Sequence, residues 1–197
     1  MQKLLFALTL AIAPIVLAKT PPAPKAAAAA APAAAVLKSS PAQGEVTFEA
    51  VGKPSMLKIK GVGEGPEGEV SLAPQVHGDF KFKLASLKTG VDMRDEHMKT
   101  KYLQVDKFPT AELKIDSVEG FKPESADASA LPFKGTLTIH GVTTPVAGTV
   151  DIKKKDKGYA VNANFETKVS DHAIDIPSYL GVTVADAVKV SVQTDLM

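Results

Sequence analysis

The sequence predicts an all-β domain of about eight antiparallel strands, a barrel or a sandwich, with one short helical insert. Three observations carry this. Apolar residues recur at every second position over most of the chain, the pattern of strands with one buried face. The segments between them are short and rich in Gly, Pro and Asp, with no helix between neighbouring strands, which argues against parallel βαβ pairing. One stretch alone, Thr89–Pro109, breaks the alternation and gathers charge.

The first 42 residues stand outside this pattern. Lys3 is a short basic region, Leu4 to Leu17 is apolar apart from Thr9 and Pro14, and Val16-x-Ala18 is a small-residue cleavage site. Residues 1–18 therefore read as a secretory signal peptide, the alternative being a retained N-terminal anchor, for which the apolar run is short of the roughly 20 residues a membrane span needs. Residues 19–42 are almost entirely Ala and Pro with scattered Lys, a composition suited to a semi-extended tether. The expected destination is the periplasm or the exterior.

Residues 43–197 are long enough for one domain with its own core. They hold 19 basic and 22 acidic side chains, a net charge of −3. That balance, with no Trp and few aromatics, argues against nucleic acid as a partner. The absence of cysteine excludes disulfides, thiol catalysis and thiolate metal sites.

Taken in order, Val46 and Phe48 begin the alternation and Leu57 and Ile59 continue it, before a Gly-rich turn from Gly61 to Gly68. Phe80, Phe82 and Leu84 then oppose Lys81 and Lys83. After the insert, Ala111, Leu113 and Ile115 face one way, and past a polar loop at Pro123 so do Phe133, Leu137 and Ile139. Val142–Pro145 is a tight connection, the cluster from Lys153 to Lys157 is a hairpin tip, and Tyr159, Val161, Ala163 and Phe165 alternate beyond it. Val188, Val190 and Val192 close the set. Small residues on the inward face (Gly78, Gly135, Gly148, Ala111 and Ala163) either leave room or mark tight bends.

Within the insert, Asp92 is placed to cap a short helix, Asp95 stands in a capping-box-like position, and Pro109 cannot continue it. Arg94, His97, Lys99 and Lys101 are candidates for a phosphate-type head group; as a plain solvated face they also match the helix dipole. His97 reads first as a hydrogen-bonded residue fixing the helix to the barrel, and as a ligand contact second. The four histidines, His77, His97, His140 and His172, lie too far apart for a metal-ligand motif, and His140 is expected to point to solvent. No nucleophile motif is present, so neither catalytic residue, cofactor nor metal is expected. The lysines of the hairpin tip, with Asp156 among them, read as a solvated turn or as contact with a membrane surface, and the tether would place the domain near an envelope protein.

Two segments together resemble the YceI-like family of exported lipocalin-like proteins. One is Ser86, Thr89, Arg94, Asp95, His97, Tyr102 and Leu103, followed by Phe108–Leu113; the other is Gly135–Val146, GTLTIHGVTTPV. Leu180-Gly181 and Asp186-x-Val188-x-Val190 are similar too. The resemblance implies an eight-stranded antiparallel lipocalin-like barrel, non-catalytic, whose apolar interior holds an isoprenoid-like lipid such as a polyprenyl phosphate or a quinone. Phe80, Phe82, Leu84, Leu113, Ile115, Phe133, Leu137, Ile139, Val161 and Phe165 are then the expected lining. The alternative is a structural or interaction domain of the cell envelope with a filled barrel and no ligand. The chain departs from the family over Val51–Val70, which lacks the usual Asp-x-x-His-Ser stretch and has a shortened hairpin, so the resemblance does not carry the cavity's depth over.

Overall fold

A computed structural model describes residues 36–54, 57–73, 75–123, 127–179 and 181–197. The expected signal peptide and most of the expected tether lie outside the described residues. The described residues form one twelve-stranded antiparallel sheet. Eight strands have seven residues or more: β2 (Gly44–Lys53), β3 (Leu57–Glu64), β5 (His77–Lys83), β6 (Thr110–Val118), β7 (Asp127–Ile139), β8 (Val142–Lys154), β9 (Tyr159–Lys168) and β12 (Ala187–Leu196). Four are shorter: β1 (Val36–Ser39), β4 (Glu67–Ser71), β10 (Ser178–Tyr179) and β11 (Val182–Val184). The sheet thus takes in Val36–Ser39, the end of the stretch expected to be a tether.

The order around the sheet is β1-β4-β5-β6-β7-β8-β9-β12-β2-β11-β10, with β3 on the other side of β2. Unpaired edges invite association, and here two contacts close the seam. β1 pairs with β4, and its Lys38 also exchanges both backbone bonds with Met197 beyond the end of β12, at 2.7 and 2.9 Å. Val62 of β3 exchanges two bonds of 2.8 Å with Lys88, just past β5. Ser86 adds a side-chain link there, its hydroxyl donating to the Lys83 carbonyl at 2.7 Å and accepting from the Glu64 amide at 3.1 Å.

Alternation translates into burial as expected. Ala111, Leu113 and Ile115 are buried on β6 while Glu112 and Lys114 are exposed, and Phe82 is buried between exposed Lys81 and Lys83. One line of cross-strand neighbours runs Phe133, Gly148, Phe165, Val190, Phe48, Gly61. Two of its glycines receive rings. A Cβ on Gly61 would lie 2.2 Å from the Phe48 ring, and one on Gly148 would lie 2.8 Å from the Phe133 ring. These small positions serve neighbouring aromatics, packing large against small across the pleat.

Two turns differ from expectation. The glycines between Gly61 and Gly68 are not one loop: Gly61 and Gly63 belong to β3, Gly68 to β4, and the reversal is at Gly65-Pro66. The β7–β8 connection is not Val142–Pro145, which begins β8, but His140-Gly141, both at positive φ (53° and 76°), as a two-residue hairpin matched to strand twist requires. His140 consequently does not point to solvent. It is half-buried, its ring 4.4 Å from that of Phe108, and a Cβ on Gly141 would come within 3.0 Å of the same ring. The two family-like segments are therefore packing partners.

Candidate functional site

The barrel's two ends differ. At one end lies a cavity of ≈ 670 Å³, within the size range of small-molecule sites. Its walls are the ends of strands: Phe48 and Ala50 of β2, Ile59 of β3, Phe82 of β5, Leu137 and Ile139 of β7, Phe165 of β9, and Val188 and Val190 of β12. Its cover is the insert, together with the loop from Val169 through Ile174 to Pro177. It reaches the surface where Leu57, Val91 and Met93 are 50%, 49% and 57% exposed.

The insert comprises α1 (Asp92–His97) and a π-helical turn, Met98–Tyr102. The wider turn follows from the Leu103 amide bonding back to Met98 at 2.9 Å. Helical structure ends at Gln104, whose φ is +46°, before Pro109 is reached. Asp92 does not cap: the N-cap is Val91, without a side-chain bond. Asp95 reaches back instead, accepting from the Thr89 amide at 2.7 Å and from the Thr89 hydroxyl. Arg94 closes the knot through Nε to the Thr89 hydroxyl at 2.7 Å and Nη2 to the Thr89 carbonyl at 3.0 Å. Burial alone would push the Asp95 carboxyl up, but the two Thr89 bonds and the charges of Lys99 and Arg94 outweigh it and hold it below the usual 3.8. This brace fixes a short element that propensity alone would leave marginal.

Of the four candidate head-group residues, Arg94, His97 and Lys101 line the cavity. Arg94 spends only part of its donor fork on Thr89, and Lys101 lies 5.3 Å from the Tyr102 ring centroid. Lys99 is not among the lining residues and serves as a charge near Asp95. His97 is exposed at the mouth, beside the bonds by which Arg94 and Asp95 tie the helix to Thr89. Lys83 also lines the cavity, against a single acid, Glu64, so the rim favours an anion.

The ten expected apolar lining residues divide. Phe82, Leu84, Leu137, Ile139 and Phe165 line the large cavity. Phe80, Leu113, Ile115, Phe133 and Val161, with Phe82 again, surround a void of ≈ 70 Å³ at the other end, packed core in all but name. There Phe133 is 2% exposed, Phe121 meets Tyr159 edge-on at 5.9 Å, and the Tyr159 hydroxyl donates to the Pro123 carbonyl at 3.0 Å.

His172 had no sequence signal beyond being one of four scattered histidines. It lines the cavity and is 0% exposed. Nδ1 faces the Val142 carbonyl at 3.0 Å, so it carries the proton; Nε2 accepts from the Thr167 hydroxyl at 3.0 Å and the Thr144 hydroxyl at 3.3 Å. A nearby pair restrains the same loop, Asp186 accepting from the Ser170 amide and hydroxyl at 2.9 and 2.7 Å; chiefly those bonds hold its carboxyl below 3.8. Among the described residues no cluster of three or more His, Asp or Glu could hold a metal ion, and no helix is long and apolar enough to cross a membrane.

The model of the YceI-like domain matches residues 37–196. UPF0312 proteins of Pseudomonas savastanoi pv. phaseolicola and Pseudomonas syringae pv. syringae are 33% identical over 90 residues, 44% of this chain and 44% of theirs; the match thus spans less than half the length of those curated relatives. Among solved structures, a polyisoprenoid binding domain from Saccharophagus degradans implicated in plant cell wall breakdown superposes with a TM-score of 0.62 at 14% identity, over 83% of this chain and 98% of that one. BcnA of Burkholderia cenocepacia gives 0.62 at 17% identity, over 78% and 94%. The YCEI protein of Campylobacter jejuni gives 0.53 at 19% identity, over 70% and 84%. At these identities the structures speak for the fold.

Proposed function

We propose that this chain, which belongs to the YceI-like domain family, is an exported carrier that holds an amphipathic isoprenoid-type lipid in the open end of its barrel. The observation that carries the reading is the ≈ 670 Å³ cavity with apolar walls and Arg94, Lys83 and Lys101 at its polar edge. Burial of an apolar tail would supply most of the affinity, at about 25 cal/mol per Å² before ordering costs. The cationic edge suits a phosphate-bearing head group through charge-assisted bonds, and a quinone is the neutral alternative. The polyisoprenoid ligand of one fold neighbour supports the lipid class, and the residue 1–18 pattern supports delivery to the periplasm or the exterior. The role is binding without turnover.

A filled structural domain would suit the packed end of the barrel but not the open one. The two readings part under solvent extraction of protein purified natively from its own host, followed by mass spectrometry. The carrier reading expects one prenyl lipid per protein, as a prenyl phosphate or a quinone. Protein that is bare on extraction, and that takes up no added prenyl lipid, would overturn it.

A further inference from the structure

The barrel holds two voids, and among the described residues only Phe82 and Val192 border both. Phe82 stands on β5 and Val192 on β12, with β6, β7, β8 and β9 between them in the sheet order, so they approach from opposite walls. Both are buried, at 9% and 5% exposure. Phe165, which lines the large cavity, meets Phe133, which lines the small void, edge-on at 6.2 Å and 88°. The division between the voids is therefore made of side chains, not of backbone. Resting on the lipid-carrier reading above, we infer that Phe82 and Val192 are specificity-determining residues. They form a floor that fixes the longest tail the cavity accepts.

The physical basis is simple. Affinity for a prenyl chain rises with each carbon that leaves water and stops rising when the next one has no space to enter. Close-packed interiors do not stretch to admit extra methylenes without strain. Beneath the floor lies ≈ 70 Å³ of unfilled space, beyond reach while the Phe82 ring and the Val192 methyls stand between. Removing either joins that space to the cavity.

The test measures binding of a prenol series, geraniol, farnesol, geranylgeraniol and solanesol, to the full chain by displacement of a naphthylamine dye. In the wild type, affinity should climb and then level off at one member of the series. In Phe82→Ala the levelling should move to a longer prenol, with a gain of about tenfold for that member from the additional buried carbons. Val192→Ala should move it the same way by less, and decides the matter if Phe82→Ala does not fold. Ala163→Val, which fills the small void from its wall, should leave the wild-type profile unchanged and cancel the gain in a Phe82→Ala/Ala163→Val double variant. An unchanged levelling point in the floor variants, or a gain that survives Ala163→Val, overturns the floor while leaving the carrier reading standing. Failure of every prenol to displace dye from the wild type overturns both.

Discussion

The two ends of the barrel are built from the same strands with the same alternation, yet one is a packed core and the other a cavity. At the packed end Phe133, Ile152, Tyr159 and Leu196 are buried, and the loop carrying Phe121 and Pro123 lays a ring and a carbonyl against Tyr159. At the open end strand residues of similar kind, Leu137, Ile139, Phe165 and Val190, face empty space. The difference lies in the cover. The packed end is stopped by apolar side chains, whereas the insert is held at the rim by polar bonds among Thr89, Arg94 and Asp95 and so spans the opening without filling it. Alternation decides which side chains point inward; the closing elements decide whether inward means core or pocket.

The contrast can be broken at its midpoint. Phe82→Asp places an unpaired charge between the two ends, a burial whose cost exceeds that of any neutral truncation, and should abolish folding or all lipid retention in urea melts and extraction. Lys81→Asp, one residue away and exposed, faces Glu112 across the strand pair and should cost at most about 1 kcal/mol. Next in size, Phe133→Ala at the packed end should cost about 3–5 kcal/mol, while Ile139→Ala, already bordering space, should cost about 1–2 kcal/mol in the same melts. Similar losses at both positions would mean that the open end is filled.

Much of this was legible in the residues. The strand faces follow from period-two patterning and the insert from the break in it, whereas the β7–β8 turn was expected at Val142–Pro145 and stands at His140-Gly141. The partition into two ends was not legible, because Leu113 and Leu137 are neighbours in register and yet line different spaces; the separation depends on side chains from β5 and β12 that are distant in sequence. His172 was equally hidden, since its three partners, Val142, Thr144 and Thr167, are themselves ordinary strand residues. Arg94 looked like a head-group contact and Asp95 like part of a capping box, yet both bond to Thr89.

Smaller effects sharpen the account of the open end. His172→Phe should cost about 1–3 kcal/mol by orphaning the Val142 carbonyl and two threonine hydroxyls, and should speed hydrogen exchange in the loop from Val169 to Pro177 while leaving the packed end protected. Arg94→Ala should weaken binding of a prenyl phosphate by about tenfold, the value of one charge-assisted contact, and leave binding of the corresponding prenol nearly unchanged. The smallest effect is on pH. Because the folded Asp95 and Asp186 carboxyls lie below 3.8, their contribution is full above the ordinary carboxylate range and is lost as pH falls through their lowered folded values. Exchange at the insert and the Ser170 turn should therefore rise below about pH 4, ahead of the strands.

The most direct test of a barrel with one receptive end is an isotope-filtered NMR experiment on the protein loaded with farnesol. The account predicts contacts from the prenyl methyls to Phe82, Leu137 and Val190 and none to Tyr159 or Leu196. Contacts reaching Tyr159 or Leu196, or no contact with any interior residue, would contradict it.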